Sequence, residues 1–158
     1  MSNKNIVFAV KKRENVCCED INTDNEAEIN YINMLFCEQE FPYSKKLKDE
    51  IKKKINGYKS QDIKKKRHDP DKLITLEQTT ELLVASKLKC HYCSKCVQLF
   101  YDNVREKDQW TLERIDNSIG HFKENVVISC LECNLKRRCI DTDRFKYSKR
   151  FNNIKKIN

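Results

Sequence analysis

Nine cysteines stand in this 158-residue chain, and the spacing of four of them points to chemistry. Cys90-His-Tyr-Cys93 and Cys130-Leu-Glu-Cys133 are two Cys-x-x-Cys knuckles separated by a 36-residue insert. Within such a knuckle both thiolates can turn inward on one ion, and two knuckles supply the four ligands of a tetrahedral zinc. Four protein ligands leave no open position, so this zinc is expected to be structural. Cys96 and Cys139 are near enough in sequence to substitute, but the paired spacing favours Cys90, Cys93, Cys130 and Cys133. Cys17, Cys18 and Cys37 lack the spacing of a complete site and read as ordinary thiols. The usual insert of a four-cysteine site is shorter than this one. The extra length carries WTLERIDNSIGHFKENVVIS, the densest run of polar and chargeable groups in the chain.

The elements that position this run change character along the chain. Residues 5–10 (NIVFAV) read as a short strand or a tucked terminus. From Glu14 to Ser44 there are eight acidic residues and no Lys or Arg, and Ile29, Ile32, Leu35 and Phe36 recur at helical spacing, predicting a helix that ends before Phe41-Pro42. The charge then reverses. Between Lys45 and Arg67 lie 11 Lys or Arg against three acids, with Ile51, Ile55 and Tyr58 on one helical stripe. Such a basic helix can track a phosphate backbone through Lys52, Lys53, Lys54, Lys64, Lys65, Lys66 and Arg67 while packing lightly on the domain. Its bland alternative is a solvated face. Thr75 with Gln78 forms a capping box opening a helix to about Lys87. Val97–Tyr101, Trp110–Ile115 and Val126–Ile128 read as strands, Asp116–Gly120 as a turn, and Leu131 to about Ile140 as a helix. This divides the chain into an arm (1–68), a zinc-stapled core (69–140) and a basic C-terminal segment (141–158).

Composition narrows the partners. Net charge is +8 and the isoelectric point is about 9.0, a balance that favours nucleic acid over membrane. No segment approaches the ~20 apolar residues of a membrane span, and no long apolar stretch follows the N-terminus. An odd cysteine count with paired knuckles points to reduced thiols in the cytosol or nucleus.

At Leu112-Glu113-Arg114-Ile115, Asn125-Val126-Val127 and Cys130-x-x-Cys133-Asn134, followed by Lys136, Arg137 and Arg138, the chain resembles the HNH endonuclease family. The resemblance covers residues 75–140. It implies an α+β class: a small ββα-metal unit stapled by zinc, with flanking helices. It further implies hydrolysis of DNA phosphodiester bonds, with RNA left open as a substrate. Glu113 and Asn134 would offer hard oxygens to a catalytic Mg²⁺ or Mn²⁺. Asn125 would hold the loop, and Lys136, Arg137 and Arg138 would meet phosphates. Arg114 stands where the family has its general-base histidine. Arg stays protonated and cannot accept a proton at neutral pH. Activation of the nucleophile would then fall to metal-bound water or to His121, and Arg114 would hold a phosphate or stabilise transition-state charge. The alternative is an inactive nucleic-acid-binding or nucleoprotein-assembly module, with a protein partner meeting residues 1–68. Glu113 with Arg114 as a surface ion pair, and Asn134 as a backbone cap, are the plain structural readings.

Overall fold

The computed structural model of the chain describes residues 20–154. The strand expected at 5–10 and the thiols Cys17 and Cys18 lie outside them. Among the described residues, five α-helices and one two-stranded sheet make an α+β arrangement. In order these are α1 (Asn25–Phe36), α2 (Ser44–Lys64), α3 (Leu76–Ala85), β1 (Trp110–Arg114), β2 (Val126–Cys130), α4 (Leu131–Arg137) and α5 (Thr142–Ile154). β1 and β2 run antiparallel, with Trp110 opposite Cys130 and Arg114 opposite Val126. A single 3-10 turn at Lys123–Asn125 leads into β2. No helix among the described residues is long and apolar enough to cross a membrane.

Local rules explain most boundaries. Asp24 caps α1 through Ala27 N at 2.8 Å, and the Thr75/Gln78 capping box forms in both directions at α3. β1 alternates as its sequence predicts, with Trp110 and Leu112 turned into the core. Thr111 and Glu113 are buried too, because the opposite face is also covered. α4 stops at Arg137, earlier than predicted, because Arg138 turns into the left-handed region at φ 51°.

Two packing results differ from the reading of the sequence. α2 does not pack lightly: Leu47, Ile51 and Ile55 are buried in one cluster with Leu83, Trp110 and Ile128. The stretch Val97–Tyr101 is not a strand, and only isolated bridges (Lys89 with Cys96, Gln98 with Gln109) form near it. A side chain explains the difference. Glu28, 1% exposed on α1, accepts from Leu99 N and Phe100 N at 3.0 Å each. A carboxylate thus takes the amides a neighbouring strand would have taken. Burial pushes the Glu28 carboxyl up to about 7, against the pull of those two amides.

Removing Glu28 orphans two buried amides, each worth about 1–3 kcal/mol. Glu28→Ala is therefore expected to lower the unfolding free energy by about 2–4 kcal/mol in urea titration. An unchanged urea midpoint would mean that water satisfies those amides equally well.

Candidate functional site

The sulfur cluster forms first in the logic of the site. A tight turn, closed by Cys90 N to Lys95 O at 2.8 Å and Ser94 N to Cys90 O at 3.0 Å, brings Cys90 and Cys93 to one side. His91 N donates to Ile128 O at 2.8 Å and ties this knuckle to β2. Cys130 ends β2 and caps α4, its sulfur accepting from Cys133 N at 3.4 Å. All four sulfurs lie within 4.8 Å of one another, and Cys93 and Cys130 sulfurs are 3.9 Å apart. Sulfurs 2.3 Å from one tetrahedral ion stand about 3.8 Å apart, so the donor set fits a metal such as zinc. Among the described residues this is the one group of three or more Cys, His, Asp or Glu close enough to hold an ion. Cys96 and Cys139 are exposed and outside it, as is Cys37, and all seven described cysteines are free thiols. Hydrogen bonds from Cys130 and Cys133 hold the Cys90 thiol well below its ordinary range, while hydrogen bonding with Cys130 and Cys90 pushes Cys133 up. Crowded thiols of this kind ionise together only around a cation.

At the far end of the hairpin, polar side chains replace sulfur. Asn125 accepts from Asp116 N at 2.9 Å and donates to Asp116 O and Gly120 O at 3.0 Å each, so its amide pins the loop. Arg114 donates to Asn117 O at 3.1 Å and Ile119 O at 3.2 Å. Arg137, 3% exposed, donates to Glu113, to the carbonyls of Arg114 and Ile115, and through Nε to Ile140 O at 2.8 Å. Arg137 is therefore an internal staple joining β1 to the end of α4, and the phosphate contact expected of it is corrected. Glu113 is likewise no surface partner of Arg114. It is buried, with one oxygen facing Arg137 and the other accepting from Tyr92. Burial pushes its carboxyl up, and the hydrogen bonds from Tyr92 and Arg137 counter that.

α2 runs alongside β1, from Lys54 at Trp110 through Tyr58 at Leu112 to Asp62 at His121, and a cleft of about 990 Å³ lies between α2, β1 and α4. Arg114, His121, Asn134 and the edge of Glu113 line it. So do Lys53, Lys54, Arg67 and Arg138, giving five Lys or Arg against Glu50 and Glu113. Lys54 is committed: it donates to Gln109 Oε1 at 3.1 Å and to Trp110 O, and sits 4.5 Å over the Trp110 ring. Lys52, Lys64, Lys65 and Lys66 are exposed but do not line the cleft, and Lys136 pairs with Glu132 at 2.8 Å on the outside of α4. Asn134 does not cap backbone. Its Nδ2 donates to Thr111 Oγ1 at 3.1 Å, leaving the amide oxygen for another partner.

The sequence offers His121 as one of two ways to activate the nucleophile but does not name its partner. Asp62, 1% exposed on α2, receives His121 Nδ1 at 2.9 Å and His121 N at 2.8 Å. Tyr58 stacks on the imidazole at 4.4 Å between centroids and receives Leu112 N through its hydroxyl at 3.1 Å. A signal existed. Ile51, Ile55, Tyr58 and Asp62 share one helical stripe, so an acid stood on the buried side of a basic helix. No protein-family model, curated protein or solved structure matches the chain.

Two outcomes test this construction. Purified protein is expected to carry one zinc per chain by elemental analysis, and a strong chelator should melt the region from 75 to 140 cooperatively by circular dichroism. An unchanged melt after chelation would remove the metal from the account. Arg137→Ala, which strands the Glu113 charge, is expected to cost about 3–5 kcal/mol in chemical denaturation, whereas an exposed arginine would cost a few tenths.

Proposed function

We propose that the chain is an HNH-type, metal-dependent endonuclease that hydrolyses DNA phosphodiester bonds. The observation that carries this reading is the basic cleft lined together by Arg114, His121 and Asn134 from three different segments. The order of hairpin then helix, with the second cysteine knuckle at their junction, supports a ββα-metal unit. A phosphodiester is a dispersed anion, and Arg114 suits it: its guanidinium is permanently charged and is held at the loop mouth by two carbonyls. Lys53 and Arg138 extend the positive lining toward flanking phosphates.

This reading includes a Mg²⁺ or Mn²⁺ ion, and the residues present fit it in part. Asn134 fits, its amide oxygen being the group that Thr111 leaves over. Glu113 fits less well, because Tyr92 and Arg137 already occupy its two oxygens. An ion held beside Asn134 would supply charge stabilisation to the phosphoryl oxygens. That same engagement of Glu113, with Arg114 in the usual place of a histidine, favours one second reading, a module that binds nucleic acid without cutting it.

Supercoiled plasmid incubated with Mg²⁺, Mn²⁺ or EDTA separates the two. Nicking is expected only with the divalent ion, and Arg114→Ala and Asn134→Ala are each expected to slow it by about 10²-fold or more while leaving the melting curve in place. Plasmid that is retarded on a gel yet never nicked would make the binding module the correct reading.

A further inference from the structure

Arg114 cannot take a proton, so a hydrolase built on this cleft needs another acceptor. We propose that Asp62, reaching in from α2, is the positioning residue that makes His121 the proton acceptor for the attacking water. The inference rests on the endonuclease reading and adds a carboxylate and a helix from outside the HNH-like segment.

The grip on His121 has two points. One Asp62 oxygen receives the backbone N–H of His121 at 2.8 Å, and the other receives Nδ1 at 2.9 Å. A carboxylate only accepts, so Nδ1 carries the proton and Nε2 keeps its lone pair. Among the described residues no hydrogen bond is made to Nε2, and His121, 3% exposed, lines the cleft. The free lone pair is therefore the one available to a water entering the cleft. Tyr58 covers one face of the ring, and Ile74 N holds the His121 carbonyl at 3.0 Å, so the imidazole has little freedom to turn. Gly120 makes the approach possible. A Cβ there would lie 2.9 Å from the Asp62 carboxylate and 2.8 Å from the Arg67 carbonyl.

The chemistry balances without an added reagent. The water oxygen forms a new bond to phosphorus, its proton passes to His121 Nε2, and the bond from phosphorus to the leaving sugar oxygen breaks. That oxygen takes a proton from solvent, and His121 returns its own to solvent. The Asp62 carboxylate, bonded to Nδ1, stabilises the imidazolium that forms. The charged groups around His121 are Asp62 from α2, Arg67 just beyond it and Arg114 from β1. Burial holds the imidazole below its ordinary 6.5, with Asp62 pulling the other way. The neutral, proton-accepting form is thus the one present at neutral pH, and the rate should rise with pH to a plateau, its acid limb falling below 6.5.

The test is divalent-dependent plasmid nicking by wild type, Asp62→Asn and His121→Ala, followed across pH with melting curves alongside. In Asp62→Asn the amide can present an N–H to Nδ1, which moves the ring proton to Nε2 and removes the acceptor. A loss of about 10²–10⁴-fold is expected for both variants, with plasmid binding retained, the acid limb absent, and partial rescue of His121→Ala by added imidazole. If wild type nicks and folded variants nick equally fast with the same pH profile, the dyad is wrong and the endonuclease stands. If wild type never nicks, both fall. Should Asp62→Asn melt early, His121→Ala decides: imidazole rescue supports the dyad, and failure of rescue in a folded protein overturns it.

Discussion

A ribbon of two five-residue strands does not hold itself together in water. The structure around the candidate site follows from how that ribbon is clamped at both ends. At one end Trp110 pairs with Cys130, and the four sulfurs gather there, joining a turn near residue 90 to the start of α4. At the other end Arg114 pairs with Val126, and the clamps are polar: the Asn125 amide inside the loop and the Arg137 guanidinium across three carbonyls. Thiolates gathered around one ion are strong and indifferent to direction along the chain. Amides and guanidinium groups instead aim what they hold, and Arg114 and His121 lie at their end. Arg114 and His121 flank the loop that Asn125 pins, and Asn134 is turned by Thr111 from the strand beneath it.

α2 completes the arrangement by doing two incompatible things on opposite sides. Its inner stripe of Leu47, Ile51 and Ile55 is buried with the hairpin and α3, while its outer side stays densely cationic. Between these, Lys53, Lys54 and Tyr58 face the cleft. Helical geometry sorts one lysine-rich sequence into three environments. Only part of the charge reaches the cleft, and part of that is used internally, as Lys54 shows through Gln109 and the Trp110 carbonyl. Net charge alone would have counted all of it as available to a polyanion.

How much of this was legible depended on how local each cause was. The knuckles, the capping box at Thr75, the hairpin strands and the turn at Asp116–Gly120 rest on neighbours in sequence, and their positions could be read from it. Glu28, Asp62 and Arg137 could not, and for one reason. Each is a charged residue on the buried side of its helix, satisfied by partners 71, 59 and 24 residues away. A stripe-by-stripe reading would have flagged Glu28 beside Ile32 and Leu35, and Asp62 below Ile55 and Tyr58, as acids where apolar groups belong. Burying a charge is costly unless it is paired, so such a residue points to a remote partner even when that partner cannot be named. The strand wrongly expected at Val97–Tyr101 is the same omission seen from the other side, since its amides belong to Glu28.

The central claim is that the cleft between α2 and the hairpin is where a phosphodiester sits. A crystal structure with a short duplex of cleavage-resistant phosphorothioate linkages, grown with a divalent ion, examines that directly. One backbone phosphate is expected between Arg114, His121 Nε2 and the Asn134 amide oxygen, with the ion against Asn134. DNA lying along the exposed lysines at the end of α2 or along α5, with the cleft holding only water, would contradict it.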